Sequence, residues 1–186
     1  MDTYILLLRG INVGGKNKVP MAGLRKCLED LGFLNVSTFI ASGNVILESP
    51  SRPDEIESRV EAALIQNFKL DSELIKVLAL TRNQLQAVID NKPEGFGEQP
   101  DTYHSDAIFL MGIDAAQAMP IFKPREGVDK VWPSDGVIYS QRLRALRTNS
   151  RLSAIRASPL YKSMTIRNWN TTTKLLDIIE ARNAIK

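Results

Sequence analysis

The 186-residue sequence contains one cysteine, Cys27, and one histidine, His104. A single cysteine excludes an internal disulfide and a cysteine-based zinc site. A single histidine, in a segment that reads as loop, does not make a metal site. Its immediate neighbours Ser105 and Asp106 do not wrap into the geometry of a Ser-His-Asp triad. No paired carboxylates stand out, so no ready general base is visible, which weighs against a hydrolase. No apolar run approaches the roughly 18 residues that span a membrane, and the first residues lack a basic segment followed by a long apolar one. These absences predict a soluble, cytoplasmic protein with no metal, and they leave any cofactor unnamed.

What is present is an ordinary globular composition, 44% hydrophobic and 24% charged, enough for a real core. The net charge of +3 is unevenly placed. Residues 1–122 hold 11 Lys and Arg against 16 Asp and Glu, a net of −5, whereas residues 123–186 hold 13 against 5, a net of +8. No acid occurs from Gly136 to Leu176, a span that contains Arg142, Arg144, Arg147, Arg151, Arg156, Lys162, Arg167 and Lys174. Such asymmetry suggests an anionic partner for the second half, either nucleic acid or phosphate. Mutual attraction of the two halves and a merely solvated basic face are the plainer alternatives.

The hydrophobic pattern predicts a strand at Thr3 to Leu8, apolar on both faces. A helix follows from about Pro20 to Leu31, with Leu24, Cys27, Leu28 and Leu31 on one face and Gly32 as its stop. Cys27 on that face reads as packing. Val36 to Ala41 and Val45 to Glu48 read as strands joined through Ser42-Gly43-Asn44, a two-residue hairpin signal. Pro53 opens a second helix; Leu74 to Leu80 is a fourth strand; Thr81 and Gln84 resemble a capping box for a short helix. This β-α-β-β-α-β order is the split β-α-β pattern of a ferredoxin-like half. Asn91 to Thr102, with two prolines and two glycines, reads as a linker.

The second half has strands at Ala107 to Met111, Val128 to Trp132, Val137 to Ser140 and Ser163 to Arg167. Its helices are expected at Asp114 to Ala118, at Asn149 to Ala157 and at the C-terminus. The predicted fold is α+β: two ferredoxin-like halves with antiparallel or mixed sheets, residues 1–92 and 103–186, joined by a linker at 93–102. In such a half the loop after the first strand and the turn between the second and third emerge at one sheet edge. Arg9 to Lys18 is therefore expected to face Ser42-Gly43-Asn44.

Three segments are candidates for chemistry. Arg9 to Lys18 (RGINVGGKNK) is a positive, Gly-rich strand-to-helix loop, a plausible place to hold an anion. Gly10 to Lys16 fits G-x-x-x-x-G-K, but Asn17 follows where a P-loop needs Ser or Thr, and the helix starts late. A looser anion-holding loop, or a turn whose glycines serve only the backbone, remains. Ser42, Gly43 and Asn44 suffice as turn residues, and the Asn44 amide offers a donor and an acceptor to a ligand. In Arg167-Asn168-Trp169-Asn170-Thr171, Asn170 or Thr171 can cap the last helix, whose N-terminus with Arg167 and Lys174 suits an anion. Trp169 reads as core.

Tyr4 to Pro20 (YILLLRGINVGGKNKVP), Thr38 to Val45 (TFIASGNV) and Thr165 to Leu175 (TIRNWNTTTKL) together resemble a bacterial family known only as domain of unknown function 1697. The resemblance implies two related α+β halves and carries no activity. Where members often show Ser-Lys-Leu, this chain has Ser150-Arg151-Leu152.

Two functional hypotheses compete. The first is a site for a phosphate- or carboxylate-bearing small molecule, possible enzyme chemistry included. Its candidate residues are Arg9, Asn12, Gly14, Gly15, Lys16, Lys18, Ser42, Asn44, Arg167, Asn168, Asn170 and Lys174. The second is a nucleic-acid-binding module using the basic second half, although the third strand lacks the aromatics of an RNA-binding sheet. A protein–protein adaptor docking an acidic partner is a third, duller reading.

Overall fold

The computed structural model describes residues 1–71 and 75–184. Its elements are, in order, β1 (Asp2–Arg9), α1 (Met21–Asp30), β2 (Leu34–Phe39), β3 (Asn44–Ser49), α2 (Pro53–Asn67), β4 (Lys76–Thr81) and α3 (Arg82–Asp90). There follow β5 (Tyr103–Leu110), α4 (Ala115–Ala118), β6 (Asp129–Ser134), β7 (Val137–Leu143), β8 (Met164–Asn168) and α5 (Trp169–Asn183). The chain divides into two compact units, residues 1–85 with 177–186, and residues 86–176. Among the described residues no helix is long and apolar enough to cross a membrane.

Each unit carries one four-stranded antiparallel sheet, ordered β2-β3-β1-β4 in the first and β6-β7-β5-β8 in the second. The two orders correspond strand for strand, so the chain is α+β with two split β-α-β halves. In the first sheet the central strand β1 explains its continuous apolar run. Tyr4, Leu6 and Leu8 join the core with Leu24, Leu28, Leu47, Ile56 and Val60. Ile5 and Leu7, alternating to the other face, are equally buried. Each such fully buried side chain stabilises the fold by about 1.5–3 kcal/mol.

The edge strand β4 starts at Lys76; the expected first residue, Leu74, lies outside the described residues. Its outward N–H groups would template another strand if left open. Two carboxylates from α2 close them. Glu61 Oε1 accepts from Val77 N and Glu57 Oε1 from Ala79 N, both at 2.8 Å. Burial pushes the Glu57 carboxyl above the usual carboxylate range, with repulsion from Glu61 and Asp54 adding to it. A carboxyl raised in the fold favours the folded state below its unfolded pKa, and that contribution is lost as pH rises through the folded value. The Glu57 charge therefore costs stability at neutral pH. E57Q, whose amide oxygen can still accept from Ala79, is expected to melt higher than the wild type at pH 7. The difference should vanish near pH 4 in a calorimetric pH series, and a constant difference across that range would disprove the assignment.

The structure corrects several expectations. The β2–β3 connection is the four-residue turn Ile40–Gly43, not a two-residue turn on Gly43-Asn44; Asn44 already pairs with Phe39 in the sheet. The segment expected as a helix from Asn149 to Ala157 is instead part of a chain of 3-10 turns, Arg144–Asn149, Leu152–Ala157 and Pro159–Ser163. Ser158 and Pro159 interrupt it, and Leu152 and Ile155 bury on the i, i+3 spacing that a 3-10 turn also satisfies. The β6–β7 hairpin, expected to turn over Pro133-Ser134-Asp135-Gly136, turns on Asp135-Gly136 alone, with Pro133 and Ser134 paired in the sheet and Pro133 tolerated because β6 lies at the sheet edge. The segment 91–102 holds no helix or strand, and within it Phe96 is 1% exposed. Finally, β5 and β7 extend further than their apolar cores, to Tyr103 and Leu143, which puts His104 on a strand and not in a loop.

Candidate functional site

The first candidate loop and its neighbouring turn do meet. Leu8 N donates to Gly43 O at 2.8 Å, and Asn12 Nδ2 donates to Ala41 O at 2.9 Å. Beyond Asn12 the loop forms a finger. Val13 and Lys16 pair across Gly14 and Gly15, whose φ values of +59° and +76° are those of a tight hairpin turn open mainly to glycine. A Cβ on either would meet nothing within 4 Å, so the glycines answer to backbone angle and not to close packing. Val13, Gly14, Gly15, Lys16 and Lys18 are exposed, and α1 begins only at Met21. This is not the geometry of a P-loop, in which the helix N-terminus itself faces the phosphate.

The asparagines around the finger hold the backbone. Asn12 Nδ2 also donates to Val19 O, and its Oδ1 accepts from Val19 N. Asn44 is fully buried, and its Nδ2 donates to Phe39 O and to Ser42 Oγ. Asn17, noticed in the sequence only as a poor P-loop residue, is a third such brace. Its Nδ2 donates to Gly10 O, and it exchanges two hydrogen bonds of 2.7 Å with Asp71.

In the second unit, Asn168 and not Asn170 or Thr171 caps α5: its Oδ1 accepts from Asn170 N at 3.0 Å. Trp169 is core, set edge-on to Phe96 and Tyr139. Arg167 is 6% exposed and donates through Nη1 to Thr165 Oγ1 and Ile166 O. Burial pushes its guanidinium pKa down to about 10. Lys174 is exposed on α5. The crevice at this helix start, lined by Asn168 and Asn170, holds about 10 Å3, the room of one water and not of a ligand.

The larger spaces lie on one face of the second sheet, which the sequence did not single out. Side-chain alternation puts His104, Asp106 and Ile108 of β5 on that face, and strand register sets Arg142 beside His104 and Ser140 beside Asp106. The face thus grades from apolar (Ile108, Ile138, Ile166) through Ser140 and Asp106 to Arg142 and His104. His104 Nε2 lies 2.9 Å from Asp106 Oδ2. A cavity of about 330 Å3 opens among His104, Arg142, Arg144 and Arg147. A second, of about 270 Å3, shares His104 and Arg142 and runs over Asp106, Ile108, Ser140 and Ile166 under Ser153, Ile155, Arg156 and Tyr161. Arg144 is steadied by a 2.6 Å bond from Nε to Pro100 O. Asp129, in register with Arg142 on β6, accepts through Oδ2 from Arg125 N and Arg151 N.

Comparison with known proteins agrees with the fold. The chain is similar to a solved structure described as the conserved bacterial protein SP0830 from Streptococcus pneumoniae, with 26% identity and a TM-score of 0.77 over 95% of this chain and 97% of that one. No curated protein matches it. Residues 1–139 match the family described as "Protein of unknown function (DUF1697)", and the chain belongs to that family.

Proposed function

We propose that the protein binds an anionic small molecule, bearing phosphate or carboxylate, in the arginine-walled cavity of the second sheet. The observation that carries this reading is the convergence of Arg142, Arg144 and Arg147 with His104 around one cavity. Like charges gathered in a recess repel one another, and an anion placed among them turns that repulsion into attraction. Guanidinium groups suit phosphate and carboxylate because their N–H forks match the oxygen spacing. A recess of this size favours a small ligand over a polymer. The buried Tyr139 offers no face for the stacking of bases.

The Gly-rich finger is a second reading of the same chemistry. Lys16 and Lys18 are exposed on it, with Arg9 at its base and Ser42 in the adjoining turn. In that reading Asn12 and Asn44 act by shaping the loop, and Gly14 and Gly15 by bending it.

Calorimetric titration with pyrophosphate and with citrate tests the proposal. The double variant R142M/R147M is expected to bind about tenfold or more weakly, the scale of losing one charge-assisted hydrogen bond, with an unchanged circular dichroism spectrum. Normal binding by that variant would overturn the cavity as the site, and loss of binding in K16A/K18A instead would transfer it to the finger. Affinity only for labelled single-stranded RNA, falling steeply with salt, would favour the nucleic-acid reading.

A further inference from the structure

We infer that the ligand is a phosphomonoester with a compact, hydroxyl-bearing organic body, such as a nucleoside or sugar monophosphate; this rests on the anion-binding reading above. The two cavities share His104 and Arg142 as a common wall, yet their linings differ in kind. The first is walled by three arginines. A carboxylate is satisfied by one guanidinium fork, whereas a phosphate offers three terminal oxygens and two charges, enough for several. The second is half apolar, with Ile108, Leu152, Ile155 and Ile166 beside the polar Asp106 and Ser140, and Arg156 also in its lining. Bare phosphate would leave that slot unused. Together the two spaces reach the few hundred Å3 typical of small-molecule sites, about 300–1,000 Å3.

Asp106 sets the chemistry of the body. Its side chain is 16% exposed, and Oδ2 is engaged by His104. Among the described residues, no donor reaches its Oδ1. A carboxylate oxygen left open beside an anion site repels a second anionic group and seeks a hydroxyl or amine donor. Asp106 therefore calls for a hydroxyl or amine donor on a body whose phosphate lies among Arg142, Arg144 and Arg147.

Titration of the full chain with inorganic phosphate, adenosine 5′-monophosphate, glucose 6-phosphate and citrate tests this. At least one ester is expected to bind about tenfold more tightly than inorganic phosphate, the scale of one hydrogen bond to a charged group. D106N should lose that preference while gaining affinity for inorganic phosphate, because a repelling charge has gone. Should D106N fold poorly, S153W, a change at an exposed position over the slot, should remove the ester preference by filling it. Equal affinity for phosphate and both esters would overturn the organic-body slot while leaving anion binding intact. Tighter binding of citrate than of any phosphate would overturn the phosphate class. No binding of any of the four would sink the anion site itself, and this inference with it.

Discussion

Gly97→Ala is expected to be among the most destabilising single substitutions in the chain, by about 3–5 kcal/mol of a total near 5–15. Two costs add. Gly97 has φ +79°, where any side chain is strained by about 1 kcal/mol. The larger cost is steric, because a Cβ there would lie 2.2 Å from Trp169 Cδ1 and 2.4 Å from Nε1. The indole has little room to retreat. Phe96 sits edge-on to it at 5.0 Å between ring centroids, Tyr139 at 6.1 Å, and Trp132 closes the other side of Phe96 at 5.9 Å. Tyr139 is itself pinned by a 2.5 Å bond from its hydroxyl to Val88 O. Gly95 is the internal control: its φ is also positive, at +72°, but a Cβ there meets nothing within 4 Å. G95A should therefore cost only about 1 kcal/mol. Urea denaturation followed by tryptophan fluorescence separates the two variants. Equal midpoints for G97A and G95A would show that the aromatic cluster does not pack as described.

That cluster also illustrates how much of the fold could be read from the sequence. Phe96 lies between Gly95 and Gly97 in a stretch without period, so nothing local distinguished a buried anchor from a tether. By contrast, the continuous apolar run of β1 and the helical spacing of Leu24 and Leu28 led directly to the first sheet and its helix. Topology alone then brought the Gly-rich loop to the β2–β3 turn. What the sequence could not reveal was where polar side chains spend their hydrogen bonds. Asn12 and Asn44 look like ligand residues by type, yet their amides bond to Val19, Ala41, Phe39 and Ser42. The basic cavity was hidden for the converse reason. His104 and Arg142 lie on polar strand ends, where apolar alternation stops and the pattern resembles loop. Only pairing between β5 and β7 makes them neighbours.

Asp129→Ala is the second large effect, expected to cost about 3 kcal/mol and to weaken ligand binding together with stability. Asp129 is 5% exposed, and its Oδ2 accepts from Arg125 N at 3.0 Å and Arg151 N at 2.8 Å. One carboxylate thus ties the start of β6 both to the preceding loop and to the 3-10 segment that carries Ser153 and Arg156 over the cavity. Removing it leaves two backbone donors without their acceptor, each worth about 1–3 kcal/mol when buried. D129N separates the parts of this effect. Its amide oxygen can serve both donors, but its NH2 falls where Oδ1 now sits, buried with no hydrogen-bond partner. It is expected to cost about half as much, since the bonds lose charge assistance and a new donor goes unmet. Hydrogen exchange gives the local readout: the Arg151 amide should lose protection in D129A and retain part of it in D129N. If D129A kept both its denaturation midpoint and a protected Arg151 amide, the clamp would be refuted. The arginine-bearing segment would then be held over the sheet by the packing of Leu152 and Ile155 alone.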